Sequence, residues 1–308
     1  MKGNSKTLLP LLALTFMIGA TAAEKKICIG HGGAGTYAPF NTMSSFKLSL
    51  EMKVDYIETD LQLSKDGVLV CIHDPVLERR TNVEEVFPDR FTIIEREGKS
   101  VKTWYVNDFT LSDLRKLDMG SSFSEKFKGE RIATFQELIE FARGNIGLYP
   151  ETKDADFYAT RGIDIDEALH DVLVKNDLHT KKGQEKTPLI IQSFSESSLR
   201  RLRDLGGDAY TLIRLVWFGQ WDDTMSDAGL KKVAEYANGV GPFLSMVMPP
   251  NTDRVYAAHQ LGLQVHVWKL YEAYPPKGFK DATGFEEYLL NTVGIDGIFT
   301  ESPDTFPR

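Results

Sequence analysis

The sequence predicts an α/β protein, a (β/α)8 TIM barrel, on three observations. Short apolar, β-like runs alternate with amphipathic helical stretches from residue 27 to near the C-terminus, the pattern of a parallel sheet covered by helices. The alternation repeats roughly eight times, as a closed barrel requires. The 308 residues contain neither a composition break nor a linker, and α/β barrels fill this length as one unit.

The elements follow in order. Candidate strands are 27–31, 54–61, 68–73, 146–151, 188–194, 209–216, 238–243, 263–268 and 296–300. Helical periodicity covers 41–51, 110–117, 134–143, 163–176, 195–205, 227–237, 251–261 and 283–292, with Asn41, Thr134, Ser195 and Asn251 as candidate N-caps. Residues 75–133 are charged, aromatic and weakly periodic. They read as an insertion after the strand ending at His73, near the barrel mouth. Ahead of the barrel, Lys2 and Lys6 make a basic start, Leu8 to Gly19 form a 12-residue apolar run, and Ala20 to Ala23 are small. That is the order of a secretory signal. The expectation is a leader at 1–23, a single barrel domain over 24–308, and a periplasmic or secreted product. The apolar run is too short to span a bilayer, so no stable membrane anchor is expected after cleavage.

Charge narrows the function. Lys and Arg number 36 against 44 Asp and Glu, a net charge of −8, with no basic run. The chain is therefore a poor electrostatic match for nucleic acid, and no nucleic-acid partner is expected. A 42% hydrophobic, 26% charged composition is that of a globular chain, not a disordered one. Cys28 and Cys71 are the two cysteines. Strand alternation sets Cys28 opposite His31 and Cys71 beside His73, so buried free thiols on opposite sides of the sheet are expected rather than a bridge.

Barrel chemistry sits at the C-terminal strand ends. Here those ends carry His31, Glu58 with Asp60, His73 with Asp74, Glu151 with Lys153, Gln192, Trp268 and Glu301. Glu58 and Asp60 are two apart and share a face, as do Glu151 and Lys153. Three carboxylates crowded at one mouth repel one another. A divalent cation relieves that, and an all-oxygen set suits Mg²⁺ or Ca²⁺ better than zinc. His31 and His73 supply an acid–base pair, and Lys153 neutralises an anionic oxygen. This set fits a phosphoester substrate better than a glycoside, for which two carboxylates suffice. Trp217, Phe218 and Trp221 are candidates for an aromatic wall suited to a choline headgroup, with packing under the insertion as the alternative. His266 shares a face with Trp268, while His170, His179 and His259 read as surface residues.

The same residues carry a family resemblance. Ile29-Gly30-His31-Gly32-Gly33 followed by Pro39-Phe40-Asn41-Thr42 resembles the opening of the glycerophosphodiester phosphodiesterases. So do Asp55 to Leu61, Lys65 to Val70 with His73-Asp74, the Pro150-Glu151-Thr152-Lys153 strand, and Val293 to Thr300 with Pro303-Asp304. Asn107 to Leu111 and Val233 to Pro242 resemble the exported bacterial branch. The resemblance implies a metal held by Glu58, Asp60 and Glu151, catalysis by His31 and His73, and a phosphate contact from Lys153. Gln192, Trp268 and Phe40 are the substrate-contacting candidates. The implied substrates are small glycerophosphodiesters such as glycerophosphocholine and glycerophosphoethanolamine, cut to glycerol 3-phosphate and an alcohol. Competing readings are a sphingomyelinase D-like enzyme on intact lipid, whose stapled loop is not evident, and a binding relative without turnover, which retention of both His and all three carboxylates argues against. The sequence departs from the family's usual pattern in two places, whose joint change a mutual ion pair in relatives would explain. Gly32 stands where relatives have Arg, and Phe40 where they have Glu. Glu301 replaces a more common Asp.

Overall fold

The computed structural model describes residues 25–217, 221–268 and 275–308. The expected leader at 1–23, Phe218 and the Trp221 side chain lie outside the described residues. Eleven strands are described: β1 (Ile27–Gly30), β2 (Tyr56–Leu63), β3 (Leu69–Cys71), β4 (Thr92–Arg96), β5 (Lys99–Thr103), β6 (Gly147–Thr152), β7 (Ile190–Ser193), β8 (Thr211–Val216), β9 (Gly239–Pro242), β10 (Gln264–Val267) and β11 (Gly297–Thr300). Neighbour pairing runs β1-β11-β10-β9-β8-β7-β6-β2, and β2 pairs back onto β1. Each of these pairings is parallel. The eight strands therefore close into the expected barrel.

Alternation explains its two layers. Inward positions Ile29, Tyr149, Ile190, Ile213 and Phe299 fill the bore. Outward positions such as Ile57, Leu148, Ile191, Val265 and Ile298 join a continuous core beneath the helices. Glycine recurs among the short strands β9 and β11, where backbones approach closely.

The outer helices are α1 (Met43–Glu51), α2 (Val83–Val86), α3 (Leu111–Leu114), α4 (Phe135–Ala142), α5 (Ala155–Thr160), α6 (Ile165–Lys175), α7 (Glu196–Gly206), α8 (Trp221–Thr224), α9 (Asp227–Val233), α10 (Asp253–His259) and α11 (Ala282–Tyr288). Thr134 caps α4 in a reciprocal capping box with Glu137, and Ser195 caps α7. Two expected caps are wrong by one residue. Thr42, not Asn41, caps α1, and Thr252, not Asn251, precedes α10. Asn41 has φ 62° and uses its side chain elsewhere.

The strand expected at 68–73 is shorter and differs in kind. β3 stops at Cys71 and pairs antiparallel with β2, outside the barrel ring. Alternation therefore does not carry through to His73. The two thiols are free and buried, but they do not face opposite sides. Both pack in the core beneath the helices. Between β3 and α4 the chain forms the β4–β5 hairpin, which the weak periodicity concealed. Leu77, Val83, Trp104, Val106, Phe109, Leu114 and Leu117 give this segment its own apolar cluster, joined to the barrel through Val70 and Ile72. No helix among the described residues is long and apolar enough to cross a membrane.

Candidate functional site

Register assembles the site. Asp60 on β2 is level with Glu151 on β6, and Glu151 with Gln192 on β7. Glu58 lies one inward position below Asp60. The three carboxylates are buried, and each offers an oxygen within 4.8 Å of the others. Lys153 continues the inward series of β6. Its Nζ lies 3.2 Å from Glu151 and 3.6 Å from Asp60, and 3.3 Å from His73 Nε2.

Each carboxylate is held by neighbours. Glu58 Oε2 accepts the Gly32 backbone N–H at 2.7 Å, and its Oε1 accepts from Gln192 Nε2 at 3.2 Å. Asn41 donates from Nδ2 to Asp60 at 2.7 Å, while its Oδ1 accepts from Thr59 Oγ1 and the Asp60 N–H. The loop after β1 thus grips two of the three acids. Burial raises Glu58 well above the ordinary carboxylate range, and the Asp60 and Glu151 charges raise it further. Burial also pushes Glu151 up to about 7, against the pull of Lys153. For Asp60, Lys153, His73 and Asn41 more than offset burial, and its carboxyl is held low. Three acids facing one ammonium leave excess negative charge in a buried place. A hard divalent cation fits this all-oxygen donor set.

The imidazoles stand at the rim. His31 Nδ1 is 3.3 Å from Glu301, and His73 Nδ1 is 3.4 Å from Asp74. A carboxylate at Nδ1 fixes ring orientation and directs the chemistry to Nε2. Burial alone would lower His73, but Asp60 and Asp74 together raise it above the ordinary value. Phe40 meets the His31 ring edge-on, with centroids 4.8 Å apart. His266 is different: buried, hydrogen-bonded to Tyr149 at 2.9 Å and depressed to about 4, it belongs to the barrel interior.

Two cavities meet at the histidines. The inner cleft is bounded by the three acids, Lys153, Gln192, Phe194 and Trp268. Gln192 Oε1, also at the cleft, is buried without a hydrogen-bond partner. Trp268 packs against Phe194 and stacks on Trp217, so an aromatic wall forms on this side. The outer chamber, about 410 Å³, lies between His31, Phe40 and Glu301 on one side and Arg80, Met119 and Phe123 on the other. His31, Phe40, Glu58, Asp60, His73, Glu151, Lys153, Gln192 and Trp268 each border one of these two spaces, whereas Asp74 and Trp217 line neither. Of the remaining histidines, His259 is exposed and pairs with Asp296, and half-buried His170 meets Tyr210.

Asn41, the Gly32 N–H, Phe194 and Arg80 were missed by sequence reasoning as parts of the site. Asn41 carried a signal, since it lies within the Pro39 to Thr42 motif, but it reads as a cap until its positive φ is seen.

Carboxylates, a lysine and two carboxylate-backed imidazoles at the C-terminal mouth place the molecule among the barrel hydrolases of phosphoric diesters. Comparison with known proteins supplies the finer level. The chain belongs to the glycerophosphoryl diester phosphodiesterase family, whose model matches residues 31–305. It is 30% identical to a glycerophosphodiester phosphodiesterase of Haemophilus influenzae, over 94% of this chain and 91% of that one. It is likewise 30% identical to the Bacillus subtilis enzyme, over 97% of this chain and 94% of the relative. Among solved structures, the Agrobacterium tumefaciens glycerophosphodiester phosphodiesterase superposes with TM-score 0.63 at 23% identity, covering 91% of this chain and 98% of that one. An Oleispira antarctica phosphodiesterase in complex with sn-glycerol-3-phosphate gives 0.67 at 20% identity, covering 90% and 94%. The chain is thus a glycerophosphodiester phosphodiesterase, an enzyme of the phosphoric diester hydrolases.

Proposed function

We propose that this enzyme cleaves small glycerophosphodiesters, among them glycerophosphocholine and glycerophosphoethanolamine, to glycerol 3-phosphate and the free alcohol. The carrying observation is three mutually close buried carboxylates, two of them joined through Lys153 to the imidazole of His73, with His31 bordering the same cleft. Glu58, Asp60 and Glu151 would hold a divalent cation, Ca²⁺ or Mg²⁺. When bound, that ion supplies Lewis-acid polarisation of a phosphoryl oxygen.

The chain's own groups do the rest. Lys153 meets a second phosphoryl oxygen and balances charge as it builds there. One imidazole accepts at Nε2 the proton of the attacking hydroxyl as the new P–O bond forms. The other donates from Nε2 to the departing alcohol oxygen as the old P–O bond breaks. Where the attacker is the neighbouring glycerol hydroxyl rather than water, the five-membered cyclic phosphate it forms is opened by water in a second step, the ring oxygen taking a proton from an imidazole. The partnerless Gln192 Oε1 accepts from a substrate hydroxyl, and Trp268 with Phe194 walls the glycerol. Phe40 steadies the His31 ring.

The leader-like residues 1–23 support export to the periplasm or outside the cell, as a 24–308 barrel domain carrying the 75–133 insertion. A coupled assay for glycerol 3-phosphate tests the reading. Release from glycerophosphocholine is expected, abolished by EDTA and restored by Mg²⁺ or Ca²⁺. Full turnover after thorough chelation would remove the metal, and absence of glycerol 3-phosphate would remove the substrate class.

A further inference from the structure

The outer chamber ends on His31 and His73, the two residues it shares with the inner cleft. The cleft, about 40 Å³, is lined by the acids and Lys153, so on the reading above the phosphoryl group is met there. An ester oxygen that leaves must meet an imidazole proton, and whatever it carries then extends past the imidazoles into the chamber. At about 410 Å³ the chamber is within the range of small-molecule sites.

Its two sides differ in charge. On one side Asp74 serves two guanidiniums: Arg79 at 3.2 Å and Arg80, through Nε, at 3.9 Å. Asp74 also meets His73. One carboxylate shared among these groups leaves that wall positive, and Arg80 is the guanidinium that borders the chamber. On the other side stands Glu301, engaged with His31. Phe40 on the Glu301 side and Phe123 on the Arg80 side add apolar surface.

We propose that this chamber receives the alcohol part of the diester, and that Arg80 selects an alcohol bearing a carboxylate, as in a serine headgroup. The carboxylate meets the Arg80 guanidinium, for which a planar fork is suited. The serine ammonium is turned toward the Glu301 side. Choline and ethanolamine lack the anion and leave Arg80 unused. The inference rests on the phosphodiesterase reading above and names which substrate that site favours.

Steady-state kinetics with glycerophosphoserine, glycerophosphoethanolamine and glycerophosphocholine tests it, with the divalent ion present. The wild-type enzyme should show its highest kcat/KM on glycerophosphoserine. Arg80→Gln should raise KM for that substrate about 10-fold, the worth of one charge-assisted hydrogen bond. Any loss that passes through Asp74 to His73 should fall on kcat of all three substrates alike, whereas the lost carboxylate contact should raise KM for the serine substrate alone. Arg80→Lys should recover part of the loss, and circular dichroism with thermal melting checks the fold. Equal effects on KM for all three substrates, or a wild-type preference for choline or ethanolamine, would overturn the assignment while leaving the phosphodiesterase reading intact. No glycerol 3-phosphate from any of the three would overturn both.

Discussion

Gly32 and Phe40 touch, and their coupling can be worked from the structure. A Cβ built on Gly32 would fall 2.4 Å from three atoms of the Phe40 ring, and Gly32 has φ +57°. Gly32→Arg alone therefore meets two costs. Left-handed backbone costs a non-glycine residue about 1–2 kcal/mol, and overpacking against the ring adds about 1–3. The shift also pulls on the Gly32 N–H that holds Glu58, so activity should fall with stability. Phe40→Glu alone loses a half-buried ring and its edge contact to His31, about 1 kcal/mol as a fraction of full aromatic burial. In Gly32→Arg/Phe40→Glu the overlap disappears and an Arg–Glu pair forms, while the φ cost stays. The expected coupling is favourable by about 1–3 kcal/mol, within the range for contacting residues. Urea unfolding midpoints of the four proteins, with kcat/KM measured alongside, give the cycle. Strictly additive effects would refute the view that relatives' Arg and Glu were exchanged here as one contacting unit.

Other outcomes follow from the same geometry. His31→Ala and His73→Ala should each lower kcat by roughly 10²-fold or more while still binding Mg²⁺ or Ca²⁺ by calorimetry; near-normal turnover in either would make that residue structural. Asp60→Asn should weaken ion affinity without unfolding the chain. Asn41→Ala removes the amide that holds Asp60, so ion affinity should drop about 10-fold or more, the usual cost of losing a ligand's supporting contact. Unchanged affinity in Asn41→Ala would show that the Asp60 rotamer is set by β2 alone.

How legible this was depends on range. Period-two alternation along β2 and β6 gave the inward faces of Glu58, Asp60, Glu151 and Lys153, because a strand fixes side-chain direction locally. All nine sequence-derived strand positions contain strands. Ring closure and the Asp60–Glu151–Gln192 row depend on register between strands far apart in sequence, which no local pattern encodes. Errors cluster where the chain leaves regular geometry. His73 lies two residues beyond β3, so extrapolated alternation misplaced Cys71 relative to it. Asn41 sits at a helix entry, where Asn is an ordinary cap, but its positive φ turns the side chain to Asp60. Residues 92–103 alternate weakly because the hairpin they form is mostly exposed, with no buried face to write a pattern into the sequence.

The buried acids and buried His266 place opposite demands on stability over one pH window. Glu151 stands near 7 in the fold against an ordinary 4.5, and Glu58 is raised as well. A raised acid contributes stability below the unfolded value and loses it as pH rises to the folded one. At about 1.4 kcal/mol per pH unit, Glu151 alone costs about 3 kcal/mol between pH 4.5 and 7. His266 runs the other way. Depressed from 6.5 to about 4 by burial, it keeps its contribution above pH 6.5 and loses about 3 kcal/mol as pH falls to 4. The two demands oppose each other over this window, so the stability of the metal-free enzyme should change less with pH than the raised acids alone would make it. Removing the histidine demand with His266→Gln, which can still accept from Tyr149, should expose the acid slope, so that the metal-free variant gains stability as pH falls from 7 to 4.5. Mg²⁺ or Ca²⁺ neutralises the acids and should stabilise most at pH 7 and above, with the gain vanishing near pH 4 as the ligands protonate. Thermal melts of both proteins with and without ion measure all three slopes. A metal-free His266→Gln protein that loses stability as pH falls over this window would mean that the three carboxylates are not the strained centre of the mouth, and the case for a cation among them would lose its physical basis.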